Sequence, residues 1–344
     1  VARAPGRPAR AAILVVLAVF AVVLVGRGCE GPERTPAGPS PSTTVSAPET
    51  DAATDIDAVA RSPLTGLPGL TGGPVLAVKI DNVGPARPHT GLSQADLVYV
   101  EQVESGLTRL LAVYSSHLPD RVGPVRSARE SDLELLRQFG SPALAFSGAQ
   151  SKLLPVVAAA PVHDVSPAHA PGAYLRDGSR PAPHNLYAAP ERLLAAAPDA
   201  SAVRDIGFRF GAAPPGGTAD RDRTVRFPNG SVGLSWSAGE QRWLISFDGE
   251  PATTTDGGRL GAPTVVVQYV TVRPSGFHDR WGNTSPYSET VGGGQAVVLR
   301  DGRAYDARWS RPDAAAGTRF TTPDGQPVNF SPGQVWIVLA PLPR

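Results

Sequence analysis

Apolar and polar positions divide the chain into stretches of different character. Ala11–Gly26, AAILVVLAVFAVVLVG, is an unbroken run of 16 uncharged, mostly apolar residues. From Glu30 to about Arg61 no apolar period exists, and Pro, Ser, Thr, Ala and acids dominate. Short apolar runs then recur. PVLAVKI (Pro74–Ile80) reads as a buried strand ending at Asp81-Asn82. ADLVYVEQVE and LTRLLAVYSS read as two strands joined at Ser105-Gly106, a hairpin-type turn. LELLRQF has helical spacing and predicts a helix over Ala128–Phe139, opened by the capping box Ser127-x-x-Glu130. PALAFSG predicts another strand, the stretch from Ala149 a helix, and APERLLAAA a helix beginning near Pro190.

Beyond about Ala200 the pattern changes. GAAPPGGTAD reads as a loop, and RTVRFP, SVGLSWS, RWLISF, TVVVQYVTV, QAVVLRDGRAYDARWS and GQVWIVLAP read as short strands. Asp301-Gly302 inside the RDGR sequence is a strong hairpin signal. These patterns predict an α/β domain with a mixed sheet over 63–200 and a β-rich domain over 201–344, each expected to hold its own core.

The N-terminus predicts location. Arg3, Arg7 and Arg10 precede the apolar run, so residues 1–28 read as an export signal or membrane anchor. The run is shorter than the roughly 20 residues that a membrane-spanning helix needs. Cys29, the only cysteine, stands just past it and reads as a lipidation site whose thiol takes a diacylglyceryl group after cleavage. Arg27 occupies a position where such sites prefer a small or apolar residue, which leaves an uncleaved anchor as the alternative. Either arrangement ties the protein to the cell membrane and puts its body on the extracytoplasmic face. Residues 29–62 read as a solvated, disordered tether. A single cysteine allows no internal disulfide.

Charge narrows the partners. Without the first 28 residues the chain carries 28 basic and 31 acidic side chains, and no basic tract. Nucleic-acid binding needs a concentrated positive surface, so it is excluded as an expectation. Lys79 and Lys152 are the only lysines, the other 30 basic residues being Arg. That skew reads as codon bias and weakens any inference from a single Arg.

Four polar groups punctuate the first domain: Asp81-Asn82 with Arg87; Glu101, Glu104 and Arg109; Arg126, Ser127 and Arg129; and His184-Asn185. These eleven residues are the candidate ligand-binding set. Asp81, at a strand's carboxyl end, is well placed for a site in an open sheet. In a strand, Glu101 and Glu104 are three apart and point to opposite faces unless a bulge intervenes, which makes them a poor acid–base pair. Arg126 and Arg129 admit two readings. They hold the domain's own acids, or they receive a phosphate or carboxylate. Arg126, expected just outside the helix, reads as the more structural of the two. The widely spaced His163 and His169 read as structural or surface residues, and no metal or cofactor is expected. No G-x-S-x-G elbow, P-loop, dinucleotide fingerprint or H-E-x-x-H is present.

PLTGLP, VKIDN, ARPHTGLSQADLVYVEQVESGLTRLLAVY, VGPVRSARESD and RPAPHNLY together resemble the N-terminal domain of the YerB-like bacterial lipoproteins. GFHDRWGN through GQVWIVLAP resembles that family's C-terminal domain. The resemblance spans about Pro63 to Pro341 and implies a two-domain lipoprotein of no established activity. It also implies that usual members have an apolar residue where Lys79 stands, and often Gly where Ser105 stands. The expected function is a membrane-anchored extracytoplasmic protein that binds an anionic envelope ligand or scaffolds a protein partner. The alternative is a cell-envelope hydrolase acting on a phosphodiester or glycan, with Asp81, Glu101 or His184 as acid–base groups.

Overall fold

Leu76–Asp81 (β1) is buried on both faces along its whole length, which places it inside a sheet covered on either side. The computed structural model describes residues 60–343 apart from 70 and 280. The expected signal or anchor, the expected lipidation site at Cys29 and nearly all of the expected tether lie outside the described residues.

The first half supplies β2 (Leu97–Gln102), β3 (Thr108–Tyr114), β4 (Ala143–Ala145), β5 (His163–Asp164) and a small hairpin of β6 (Tyr174–Arg176) and β7 (Leu186–Ala188). Its helices are short: α1 (Glu130–Leu136), α2 (Leu154–Ala159) and α3 (Pro190–Ala195). The second half supplies β8 (Thr218–Ala219), β9 (Asp222–Phe227), β10 (Gly230–Ser237), β11 (Arg242–Phe247), β12 (Glu250–Pro251), β13 (Gly261–Ala262) and β14 (Thr264–Val270). It continues with β15 (Val272–His278), β16 (Thr284–Ser288), β17 (Gly292–Arg300), β18 (Arg303–Arg311), β19 (Arg319–Thr321) and β20 (Val335–Pro341). The expected mixed α/β first half and β-rich second half are both present.

Local sequence accounts for the turns. Asp301 and Gly302 both have positive φ, 53° and 68°, the conformation of the tight hairpin joining β17 to β18. Ser105 (φ 57°) and Gly106 (φ 69°) turn β2 into β3. A Cβ at Gly106 would sit 2.5 Å from Pro228 Cβ, so only glycine admits that approach of the second half.

One sheet crosses the boundary between the halves. Its order is β19-β18-β17-β14-β20-β2-β3-β1-β4-β5, with β8 on β18, eleven strands in all. β20, from the second half, pairs in parallel with β2 from the first, Leu97 opposite Val335 through Val100 opposite Val338. The five-stranded sheet β12-β11-β10-β9, with β13 on β11, packs with α3 in the core on one face. On the other face α1 and α2 pack with Ile206, Phe208, Phe320 and Phe330. Each core therefore draws residues from both halves, and neither half holds a core to itself. Pattern along the chain shows where strands occur but not which distant strand each one pairs with.

Helix α1 starts later than the sequence predicts. Its N-cap is Arg129 rather than Ser127, and the Arg129 backbone N–H donates to Asp132 Oδ2 at 2.6 Å. The predicted C-terminal end at Phe139 is reached through a 3-10 turn, Arg137–Phe139. The capping carboxylate is thus Asp132 and not Glu130.

Candidate ligand-binding cleft

Strand periodicity sets the site. On the face of β1, β2 and β3 that α1 covers, alternate residues run Ala77, Lys79, Asp81; Leu97, Tyr99, Glu101; and Val113, Leu111, Arg109. Apolar side chains thus give way to charged ones at one end of the sheet. Register then places Arg109 between Asp81 on one neighbour and Glu101 on the other. Burying charge is costly unless each group finds a partner, and the partners come from α1, the loop before it and the second half.

Beneath the cleft lies a fully buried triad. Lys79 Nζ donates to Glu101 Oε1 and to Asp132 Oδ1, each at 2.6 Å, and all three residues are essentially inaccessible. Ser131 Oγ adds a bond to Glu101 Oε2 at 3.1 Å. Two carboxylates share one ammonium, so they do not titrate alike. Burial, reinforced by the Asp132 charge, pushes Glu101 up to about 7. Burial also opposes ionisation of Asp132, but Lys79 and the hydrogen bonds it receives hold it below the usual range.

Above the triad opens a cleft of about 840 Å³, within the range of small-ligand sites. Asp81, Glu104, Arg109, Arg126, Ser127, Arg129 and His184 all line it. Asp81 Oδ2 accepts from His184 Nδ1 at 2.8 Å and lies 3.0 Å from Arg126 Nε. The Arg126 contact is an ion pair whose N–H is not aligned as a hydrogen bond. A carboxylate only accepts, so Nδ1 carries a proton in this pair, and in the neutral ring Nε2 is the acceptor nitrogen.

Arg129 is the more deeply held of the two expected arginines. It donates to Glu104 Oε2 at 2.5 Å and to Ala128 O at 2.7 Å. Ser285, from β16, donates to the other Glu104 oxygen. Burial opposes ionisation of Glu104, but the Arg129 bond and charge hold its pKa low.

Arg109 differs. Its one hydrogen bond goes from Nη1 to Ser127 O at 3.0 Å, and it forms none of the ion pairs among the described residues. Burial and then the nearby Arg129 charge push its pKa down to about 9, which still leaves it cationic at neutral pH. The cleft thus contains one guanidinium without an acid of its own. Buried polar atoms lacking a protein hydrogen bond also gather here: Arg126 Nε, Arg129 Nε, Glu130 Oε2 and Gln150 Oε1 all belong to lining residues.

The remaining four candidates lie off the cleft. Asn82 Nδ2 donates to Thr108 Oγ1 at 2.9 Å, and Arg87 clasps Asn82 O and Asp248 Oδ2, tying β1 to the second sheet. Asn185 donates to Asp177 O and Arg180 O, fixing the loop that carries His184. Glu101 is enclosed in the triad, so it cannot act as an acid–base group on a ligand in the cleft. Nor do Glu101 and Glu104 face opposite ways as strand parity predicts. β2 ends at Gln102, and the 3-10 turn from Glu104 brings its carboxylate back to the start of α1.

Sequence reasoning missed Lys79, although a lysine in an apolar strand of a chain with two lysines was a visible signal. It also left the GFHDRWGN segment without a role. His278, Asp279, Trp281 and Asn283 from that segment form part of the cleft wall.

Comparison with known proteins gives a consistent picture. The family described as "Protein of unknown function (DUF3048) N-terminal domain" matches residues 64–203, and its C-terminal domain matches 223–337. The chain belongs to the YerB-like, DUF3048 family. Its relative in Bacillus subtilis (strain 168), named "Putative lipoprotein YerB", is 28% identical over 317 residues, covering 86% of this chain and 91% of that protein. The crystal structure of B. subtilis YerB shares the fold, with a TM-score of 0.70 at 22% identity over 83% of this chain and 97% of that one. Within this YerB-like chain the cleft wall is drawn from both matched segments, with Asp81, Arg109 and Arg126 from the first and His278, Asn283 and Ser285 from the second. Among the described residues no helix is long and apolar enough to cross a membrane.

Proposed function

We propose that this chain is a membrane-anchored lipoprotein of the extracytoplasmic face whose cleft binds an anionic ligand of the cell envelope. The observation that carries this reading is Arg109, a sunken guanidinium with one backbone acceptor and no carboxylate partner. A phosphate or carboxylate beside it would gain charge-assisted hydrogen bonds and relieve the mutual repulsion of Arg109, Arg126 and Arg129. Internal pairing of Arg126 and Arg129 supports a scaffolding contribution from those two, which leaves Arg109 as the principal anion ligand.

Thermal unfolding of the full chain in phosphate, against chloride of equal ionic strength, tests the reading. Phosphate should stabilise the parent and leave Arg109→Gln unmoved. The lost bond should weaken phosphate by about 1.5–3 kcal/mol, while the empty variant should melt no lower than the parent. A parent indifferent to phosphate, or a variant that responds equally, refutes it.

The Asp81–His184 pair favours a second reading, hydrolysis of a phosphodiester or glycan. An imidazole oriented by a carboxylate, with its other nitrogen an acceptor, is suited to take a proton from water. Turnover of a phosphodiester that disappears in His184→Gln would move the chain to that class.

A further inference from the structure

The cleft that holds Arg109 also holds an acid without a cation. Glu130 lines it half-buried and forms none of the ion pairs among the described residues, and its Oε2 is buried without a hydrogen-bond partner. Gln150 lines the cleft as well, and its Oε1 is likewise buried and unbonded. Backbone pairing joins the segments that carry these two acceptors. Ser147 N–H donates to Arg126 O at 2.9 Å and Ala128 N–H to Gly148 O at 3.1 Å, and Glu130 and Gln150 each stand two residues past the second bond. Arg109 donates to Ser127 O, three residues before Glu130, and three residues of chain span at most about 11 Å. The other acids of this wall next to arginines are paired, Glu104 with Arg129 and Asp81 with Arg126. Arg109 and Glu130 are left over, one of each sign, within reach of one small molecule and not joined to each other.

We infer that the ligand is a zwitterion, its acid group bonded to Arg109 and an ammonium group of the same molecule bonded to Glu130 and Gln150. This rests on the anion-binding reading above and adds the cationic end of the molecule that bears the anion. An ammonium brings three N–H donors and no acceptor, which suits a carboxylate and an amide oxygen that both lack a donor. A buried oxygen without a partner costs free energy, and a ligand N–H recovers it. The acid end is a carboxylate, as in an amino acid, or a phosphate, as in an ethanolamine phosphate, since a guanidinium bonds either. A bare anion would use Arg109 alone and leave Glu130 uncompensated.

Calorimetric titration of the full chain tests this with two matched pairs, O-phosphoethanolamine against ethyl phosphate and γ-aminobutyrate against butyrate. The pairs separate the two sources of acid, and within each pair only the ammonium differs. At least one ammonium-bearing ligand should bind about tenfold more tightly than its match, the scale of one charge-assisted hydrogen bond. Glu130→Gln should erase that preference and leave ethyl phosphate and butyrate bound no more weakly than by the parent. Gln150→Leu should reduce the same preference, so the outcome does not hang on the folding of one variant. Arg109→Gln should weaken all four. If ethyl phosphate or butyrate binds and neither ammonium-bearing match binds better, the zwitterion assignment is overturned while the anion site stands. A preference that survives both Glu130→Gln and Gln150→Leu overturns it equally. If none of the four binds, both readings fail.

Discussion

Asp81 and Arg109 stand directly opposite one another on β1 and β3, yet among the described residues no ion pair joins them to each other. Asp81 turns to Arg126 and His184 instead. The 123–129 segment and the 177–185 loop bring those two side chains to the Asp81 carboxylate at the end of β1, while Arg109 bonds the backbone carbonyl of Ser127. Arg109 is thereby left available to the cleft.

That division predicts unequal costs for the two arginines of VRSARE. Arg129→Gln strands the buried Glu104 carboxylate and should destabilise by about 3 kcal/mol or more. Arg126→Gln leaves Asp81 with its His184 bond, at a residue more open to water, and should cost about 1 kcal/mol. Urea melts of the two single variants compare them directly. Equal losses, or a larger one at Arg126, would contradict the pairing described.

Lys79 predicts a strong coupling. Lys79→Met leaves Glu101 and Asp132 buried together without a cation and should cost about 3–5 kcal/mol. Adding Glu101→Gln removes one of the stranded charges, so the double variant should be more stable than Lys79→Met alone. A double-mutant cycle by chemical denaturation measures the coupling. Additive costs would show that the three groups do not act as a unit.

Much of the architecture was legible because alternation and turn chemistry are local. The Asp301-Gly302 hairpin, the Ser105-Gly106 turn and the helix from Pro190 need only neighbouring residues. Ser105 in the left-handed region also fits the glycine that the family resemblance implies there. Seven of the eleven candidate residues were brought to one cleft because strand ends and their loops share an edge of the sheet. The rest was not legible. The pairing of β2 with β20 joins residues more than two hundred positions apart, and no local pattern encodes it. The Lys79 triad depends on α1 crossing β1 and β2, which spacing along the chain does not reveal.

Two buried groups oppose one another in their response to pH. Glu101, raised to about 7 chiefly by burial, holds its proton in the folded state over a range where the unfolded chain has lost it, so its contribution falls from about pH 4.5 to 7. His89, pushed down to about 4 by burial, is neutral in the folded state where the unfolded chain is charged. Its contribution is therefore lost as pH falls from about 6.5 to 4. Between about pH 4.5 and 6.5 the two slopes nearly cancel in the parent. Glu101→Gln should unmask the histidine, giving stability that rises by up to about 1.4 kcal/mol per pH unit across that window. Unfolding free energies at half-unit steps would show it, and a variant as flat as the parent would count against the assignment.

The shared sheet predicts how the protein responds to cutting. Residues 212–217, AAPPGG in sequence, form a glycine- and proline-rich, largely exposed connection between the two matched segments, the kind of site at which a protease cuts. A single nick there leaves the β2–β20 ladder and both cores intact, along with the Ser285 bond to Glu104 and the bonds from Arg311 to the carbonyls of Glu134 and Leu135. The nicked halves should therefore elute together from a sizing column in native buffer and part only in denaturant. The first half made alone should expose the pairing edge of β2 and the apolar residues that β20 covers, and it should aggregate. Clean separation after one nick, or a soluble monomeric first half with a cooperative melt, would show instead that each half carries a sufficient core.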